Sequence, residues 1–126
     1  MRKLNESGQT LIALLIFMLV AMTVTLASIA IAITNIQAGN SISSGELALQ
    51  NAQSGIENTL INLERNPSYS GGTMALSNGN ATITVSGTGI LNIISEGNYR
   101  NFHRKITVNA TNTANVINIT SWSETP

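Results

Sequence analysis

A chain of 126 residues leaves room for one soluble domain at most. Its six basic and six acidic residues balance, which removes any general attraction to nucleic acid. There is no cysteine, hence no disulfide framework, no thiolate chemistry and no cysteine metal site.

In chain order, Arg2 and Lys3 come first, then the small or polar Glu6-Ser7-Gly8. From Leu11 to Ile33 follow 23 residues with no charge, no Gly and no Pro; thirteen are Leu, Ile, Val or Phe and five are Ala. A helix crossing the hydrocarbon core of a bilayer needs about 20 such residues. Inside lipid each backbone N–H and C=O has to be paired locally, so the block is expected to be helical. Basic residues before the span place the N-terminus in the cytoplasm and all that follows outside it. An ordinary secretory signal has a shorter apolar core, with its small residues and cut site after it. Here Gly8 stands before the run, so a cut after Gly8 would leave the membrane helix on the mature protein.

The stretch Gly8-Gln9-Thr10-Leu11-Ile12-Ala13-Leu14-Leu15-Ile16 resembles the leader junction of type IV prepilins, shared by type IV pilins and type II secretion pseudopilins. The Gly, the Thr-Leu-Ile and the Leu-Leu-Ile stand where that family has them. The resemblance implies cleavage between Gly8 and Gln9 by a prepilin peptidase and N-methylation of Gln9. It also implies that Thr10, Leu11, Ile12, Ala13, Leu14, Leu15 and Ile16 pack in a helix bundle with other pilin subunits. Two positions depart from the family. Gln9 replaces the usual Phe or Met. Ala13 replaces a Glu that major pilins carry, which points to a minor subunit at the filament tip.

From Ile42 the pattern turns amphipathic. Leu49, Ala52, Ile56, Leu60 and Leu63 fall on one helical face, with Glu46, Gln50, Gln53, Glu57 and Glu64 as polar counterparts. Arg65 suits the C-terminal end of the helix dipole. Asn66-Pro67 stops the helix. The expectation is one helix from Gln9 to about Arg65, about 85 Å long if fully helical and loosened between Asn35 and Ser44. Gly39 and Gly45 weaken it by roughly 1 kcal/mol each against Ala. Ala48–Glu57 and Asn66–Gly72 are similar to the second helix half and following loop of minor pilins.

After Gly72 the period becomes two. Asn78-Gly79-Asn80 signals a hairpin between Thr73–Ser77 and Ala81–Ser86. Gly87-Thr88-Gly89 turns the chain into Ile90–Ser95, and Glu96-Gly97-Asn98 turns it again into Tyr99–Asn109. A last strand is expected from about Asn115 to Trp122. Arg104 falls in phase with Phe102, Ile106 and Val108, which suggests a bulge or an edge there. The fold class is therefore α+β and pilin-like: one long N-terminal helix, transmembrane in its first half, packed on a small antiparallel sheet. The expected divisions are a leader over 1–8, a membrane half over 9–36 and an extracytoplasmic domain over 37–126.

Nothing in the chain carries enzyme chemistry, a metal set or a cofactor. His103, between Phe102 and Arg104, has no Cys or Asp beside it and reads as a solvated strand residue. Arg100, Arg104 and Lys105 are too few for a nucleic-acid interface. The functional expectation is a structural subunit, a minor pilin of a type IV pilus-like filament. It is held in the cytoplasmic membrane and then extracted by an assembly platform into a cell-surface filament. Two alternatives stand beside it: a pseudopilin of a type II secretion system, and a signal-anchored surface binding module that never assembles. The absence of Asp disfavours a carboxylate calcium site of the kind found in major pseudopilins.

Overall fold

A computed structural model describes residues 4–126, with side chains from Gly8 onward. Arg2 and Lys3, on which the inward orientation of the N-terminus rests, lie outside the described residues. One helix, α1 (Leu4–Arg65), precedes five strands: β1 (Gly71–Leu76), β2 (Gly79–Ser86), β3 (Ile90–Tyr99), β4 (Phe102–Thr113) and β5 (Val116–Thr125). The strands form one antiparallel meander in sequence order. The architecture is the α+β arrangement expected from the change of period at Gly72. The chain divides into two units, Met1–Asn40 and Ser41–Pro126.

α1 continues through Asn35–Ser44, where a loosening was expected. It ends where Pro67 requires. Asn66 N–H donates to the Asn62 carbonyl at 2.7 Å, and Tyr69 N–H to the Asn66 carbonyl at 3.0 Å. The Asn66 side chain accepts from Ser68 N–H at 3.1 Å.

In the second unit the core lies between α1 and the sheet. Ala48, Ala52, Ile56 and Leu63 meet Ala81, Ile83, Leu91, Ile93, Ile106, Val108 and Ala110. The helix face is rotated from the one the large apolar residues suggest. Leu49 and Leu60 are only half-buried, whereas Gly45, Asn51, Gly55 and Thr59 are buried. Close approach is the reason. A Cβ on Gly55 would stand 2.3 Å from Ser95 Oγ and 3.0 Å from Ala81 Cβ. A Cβ on Gly97 would stand 2.1 Å from the Ala48 carbonyl oxygen and 2.3 Å from Ala52 N. Small residues on both sides bring the helix backbone onto β3 itself; Ile56 and Leu63 stay buried, and Leu49 and Leu60 are left on the flank.

That approach also corrects the reading of Glu96-Gly97-Asn98. These residues are no turn; β3 runs straight through them and reverses at Arg100-Asn101, where Arg100 has φ 53°. Gly97 is glycine because the helix leaves no room for a side chain, not because the chain bends. The expected hairpin is present, but its turn is Ser77-Asn78: Leu76 and Gly79 close it, and Gly79 and Asn80 already belong to β2. The β4–β5 turn carries φ values of 54° and 64° at Ala114 and Asn115, the double left-handed pattern of a type I′ hairpin.

Arg104 causes neither a bulge nor an edge. It pairs with Gly97 inside the β3–β4 ladder, and its guanidinium lies under Gly45, 3.5 Å from where a Cβ would be. The in-phase arginine is partly buried beneath the helix, at an ordinary contact distance from a Cβ placed on Gly45. The bulge falls in β5: Asn109 pairs with Ser121 and Ala110 with Ile119, so Thr120 is left over. Its hydroxyl donates to the Asn109 carbonyl at 3.0 Å.

Two polar details mark the interior. Asn51 Nδ2 donates to the Asn98 carbonyl at 2.9 Å and ties the helix to the end of β3. Ser95 is fully buried against Gly55, and its Oγ has no hydrogen-bond partner. A buried hydroxyl without a partner costs roughly 1–3 kcal/mol in desolvation. Ser95→Ala is therefore expected to leave the melting temperature of residues 41–126 unchanged or to raise it, read by circular dichroism. A fall of more than about 5 °C, near 1 kcal/mol for a domain of this size, would mean that the hydroxyl is bonded after all.

Candidate functional site

Among the described residues the first unit is the N-terminal part of α1, and its apolar side chains from Leu11 onward are bare. Leu11, Ile12, Leu14, Leu15, Ile16 and Phe17 are 56–73% exposed, and so on through Ile36. Water does not tolerate a continuous surface of this kind; a bilayer or other helices do. The helix is long and apolar enough to cross a membrane, with a mean hydropathy of 2.6 in its most apolar window and none of that window buried. This supports a single-pass anchor near the N-terminus.

The hydroxyls within the block do not oppose that environment. Thr25 donates to the Ala21 carbonyl at 2.7 Å, Ser28 to Val24 at 2.9 Å and Thr34 to Ala30 at 2.9 Å, each one turn back. Thr23 reaches the Val20 carbonyl at 2.8 Å. Each donor is satisfied by the helix itself, so none is left unmet in lipid.

The block is not uniform around its axis. At 100° per residue, Ala21, Thr25, Ser28, Ala32 and Gly39 fall on one face, while Met18, Met22, Leu26, Ile29, Ile33 and Ile36 fill the adjoining one. In lipid there is no hydrophobic gain from joining helices, and small residues matter because they let two backbones come close. The first face therefore suits another helix, and the second suits acyl chains. The spacing was legible in the sequence but hidden by the high hydropathy of the block as a whole.

The residues at which a leader junction is expected lie on the same exposed helix. Gly8 and Gln9 are exposed, and nothing stands within 4 Å of a Cβ placed on Gly8. Thr10, Leu11, Ile12, Ala13, Leu14, Leu15 and Ile16 occupy two successive turns and point around the whole circumference, all exposed.

Elsewhere the chemistry stays sparse. His103 is exposed on the sheet face turned away from the helix, with its Nδ1 against Asn98 Oδ1. A shallow cleft of about 160 Å³ lies between Glu96, His103, Arg104, Lys105 and Pro126. Arg100 stacks on Tyr99 with 5.3 Å to the ring centroid. Among the described residues no group of three or more His, Cys, Asp or Glu converges to hold a metal ion. Compared with protein-family models, curated proteins and solved structures, the chain matches none.

Proposed function

We propose that this chain is a type IV pilin-like structural subunit, processed between Gly8 and Gln9, anchored by α1 and assembled through that helix with other subunits. The carrying observation is a helix whose apolar, bare run starts two residues after the Gly8/Gln9 junction and whose later turns from Gly45 to Leu63 are buried in the core of the second unit. A subunit built for a helical bundle needs both properties. One part of its helix has to be free to meet lipid and then other helices. The other part has to hold the domain that the filament displays. The small-residue face from Ala21 to Gly39 supports helix-to-helix contact on the same reading. Ala13 fits a position with no subunit ahead of it, because it offers no carboxylate to a neighbour's N-terminal amine.

Intact-mass measurement of the membrane-extracted protein tests the assignment. In cells with a prepilin peptidase, the mass is expected to correspond to Gln9–Pro126 plus one methyl group, and Gly8→Val is expected to abolish the cut. A chain that keeps Met1–Gly8 in those cells leaves a plain membrane anchor as the better reading.

A further inference from the structure

Asn-X-Thr, the acceptor pattern of N-linked glycosylation, occurs at Asn80-Ala81-Thr82, Asn109-Ala110-Thr111 and Asn118-Ile119-Thr120. A triplet of the serine type, Asn5-Glu6-Ser7, precedes the apolar run and falls on the side read as cytoplasmic. In a chain this rich in Asn, Ser and Thr the pattern alone carries no weight. The fold separates the three threonine triplets from one another.

Asn80 lies in β2 and Asn109 in β4, and both strands are paired on either side. Each of these asparagines is half-buried, and the middle residues of their triplets, Ala81 and Ala110, are fully buried. Offering either triplet to an enzyme means pulling an interior strand out of the sheet. Asn109 Nδ2 is also committed, donating to Ser121 Oγ at 2.9 Å. Asn118 differs on each count. It lies in β5, an edge strand and the last element in chain order. It opposes Thr111, while Ile119 opposes the buried Ala110, so Asn118 points away from α1. Asn118, Ile119 and Thr120 are all exposed, and the Asn118 amide has no hydrogen-bond partner among the described residues.

The triplet ends on the bulge, where Thr120 is left over from the β4–β5 register and the ladder is interrupted. Its surroundings give a glycan something to do. A bare edge strand is a template for pairing with another chain, and proteins blunt such edges with Lys, Pro, a bulge or short length. β1, the other edge, is six residues long. β5 is ten residues long, with no Lys, Arg or Pro, and its one charge, Glu124, stands near its end. The bulge blunts its middle. The stretch before the bulge, Val116 to Ile119, has none of these devices, and Val116 is 57% and Ile119 48% exposed. Asn118 stands in that stretch.

We propose that Asn118 carries an N-linked glycan, which shields the first half of the β5 edge from pairing with other chains. The donor is a lipid-diphosphate-linked oligosaccharide, and the catalyst is an oligosaccharyltransferase that reads the Thr120 hydroxyl. Asn118 Nδ2 attacks the anomeric carbon; the new N–C bond forms as the C–O bond to the lipid diphosphate breaks. The diphosphate leaves with the bonding pair, and the amide nitrogen releases one proton to the enzyme. The attached carbohydrate is bulky and hydrated, so it keeps a second strand off β5 without touching the core. The inference rests on the extracytoplasmic placement of the second unit in the proposed function, and not on cleavage or filament assembly.

The full chain is expressed in cells whose oligosaccharyltransferase accepts Asn-X-Thr, extracted from the membrane and measured by intact mass. One glycan per chain is expected. Asn118→Gln and, separately, Thr120→Ala are expected to abolish it, while Asn80→Gln and Asn109→Gln leave it in place. Tryptic cleavage after Lys105 leaves Asn109 and Asn118 on one peptide, so these variants decide the site. His103→Thr supplies the control: it completes an acceptor triplet at Asn101, exposed in the turn after β3. A glycan at Asn101 in that variant with Asn118 bare overturns the proposal and leaves the extracytoplasmic placement standing. Neither site modified overturns both. A glycan on Asn80 or Asn109 in place of Asn118 overturns the proposal as well. In nanodiscs, chains freed of glycan are expected to associate at a concentration at least tenfold lower than glycosylated ones. Equal association of the two overturns the shielding role.

Discussion

Gly97→Ala is expected to lower the melting temperature of residues 41–126 by more than about 10 °C. The new methyl would sit 2.1 Å from the Ala48 carbonyl oxygen, 2.3 Å from Ala52 N and 2.9 Å from Ala52 Cα. All three are backbone atoms of α1, so no rotamer change relieves the overlap; the helix has to lift from β3. Lifting it opens the contact of Ala52 and Ile56 with Ala81 and Ile93, which are all fully buried. Overpacking of this kind costs typically 1–3 kcal/mol, and a rigid obstacle puts this site at the upper end. A domain of this size loses about 4–8 °C per kcal/mol. Gly97 does not have a left-handed φ, so the whole effect is steric. Gly72→Ala is the matched control. It too lies in a strand without positive φ, and its Cβ would meet only Tyr69 Oη at 4.0 Å. It is expected to be neutral or slightly stabilising. Circular dichroism melting of both variants reads the difference. A Gly97→Ala protein that melts within about 2 °C of the parent would mean that α1 is not seated on β3.

The same glycine shows where sequence reasoning stops. Glu96-Gly97-Asn98 has the composition of a turn, and local chemistry alone reads it as one. What decides its conformation is the backbone of a helix some 45–49 residues earlier, which no local pattern reveals. Arg104 teaches the same lesson from the other side. Its place in the apolar phase of β4 looks like a local irregularity, but the ladder runs through it unbroken and its guanidinium lies beneath the helix at Gly45, far away in sequence. By contrast, the length of α1, its stop before Pro67 and the change to a meander after Gly72 depend on nearest neighbours and periodicity. These were legible from the residues. The core was half legible. Large apolar positions mark a helix face to within one residue in each turn, but Gly45, Ala48, Ala52 and Gly55 set the face that makes contact. The order of hydrophobicity and the order of closeness differ here, because the closest contacts are made by the smallest side chains. The bulge at Thr120 left no signal at all. Its consequence, Ile119 and Trp122 on one face, emerges only from the pairing with β4.

Removing the helix is expected to have the largest effect of any change considered: residues 41–126 should unfold in one cooperative transition, and residues 66–126 should show none. The sheet cannot supply its own second layer. Ile83, Leu91, Ile93, Ile106 and Val108 all project to the side that α1 covers, and each is at most 6% exposed in its presence. Fully burying one such side chain is worth about 1.5–3 kcal/mol. Five of them together match the entire net stability of an ordinary domain, about 5–15 kcal/mol. Without α1 they would form a bare apolar sheet face, and the opposite face, where Thr82, Thr84, Asn92, Thr107 and Asn109 outnumber Ile90 and Ile94, offers mostly polar side chains in exchange. The dependence runs both ways. The helical stretch 41–65 buries Ala48, Ala52, Ile56 and Leu63 only against the sheet, and an isolated helix of that length with Gly45 and Gly55 in it is marginal in water. Asn51 adds a directional tie through its bond to the Asn98 carbonyl. The test is thermal melting of the two fragments followed by far- and near-ultraviolet circular dichroism. A cooperative melt from residues 66–126, with β-sheet signal in the cold state, would show the sheet to be self-sufficient and α1 to be only an anchor.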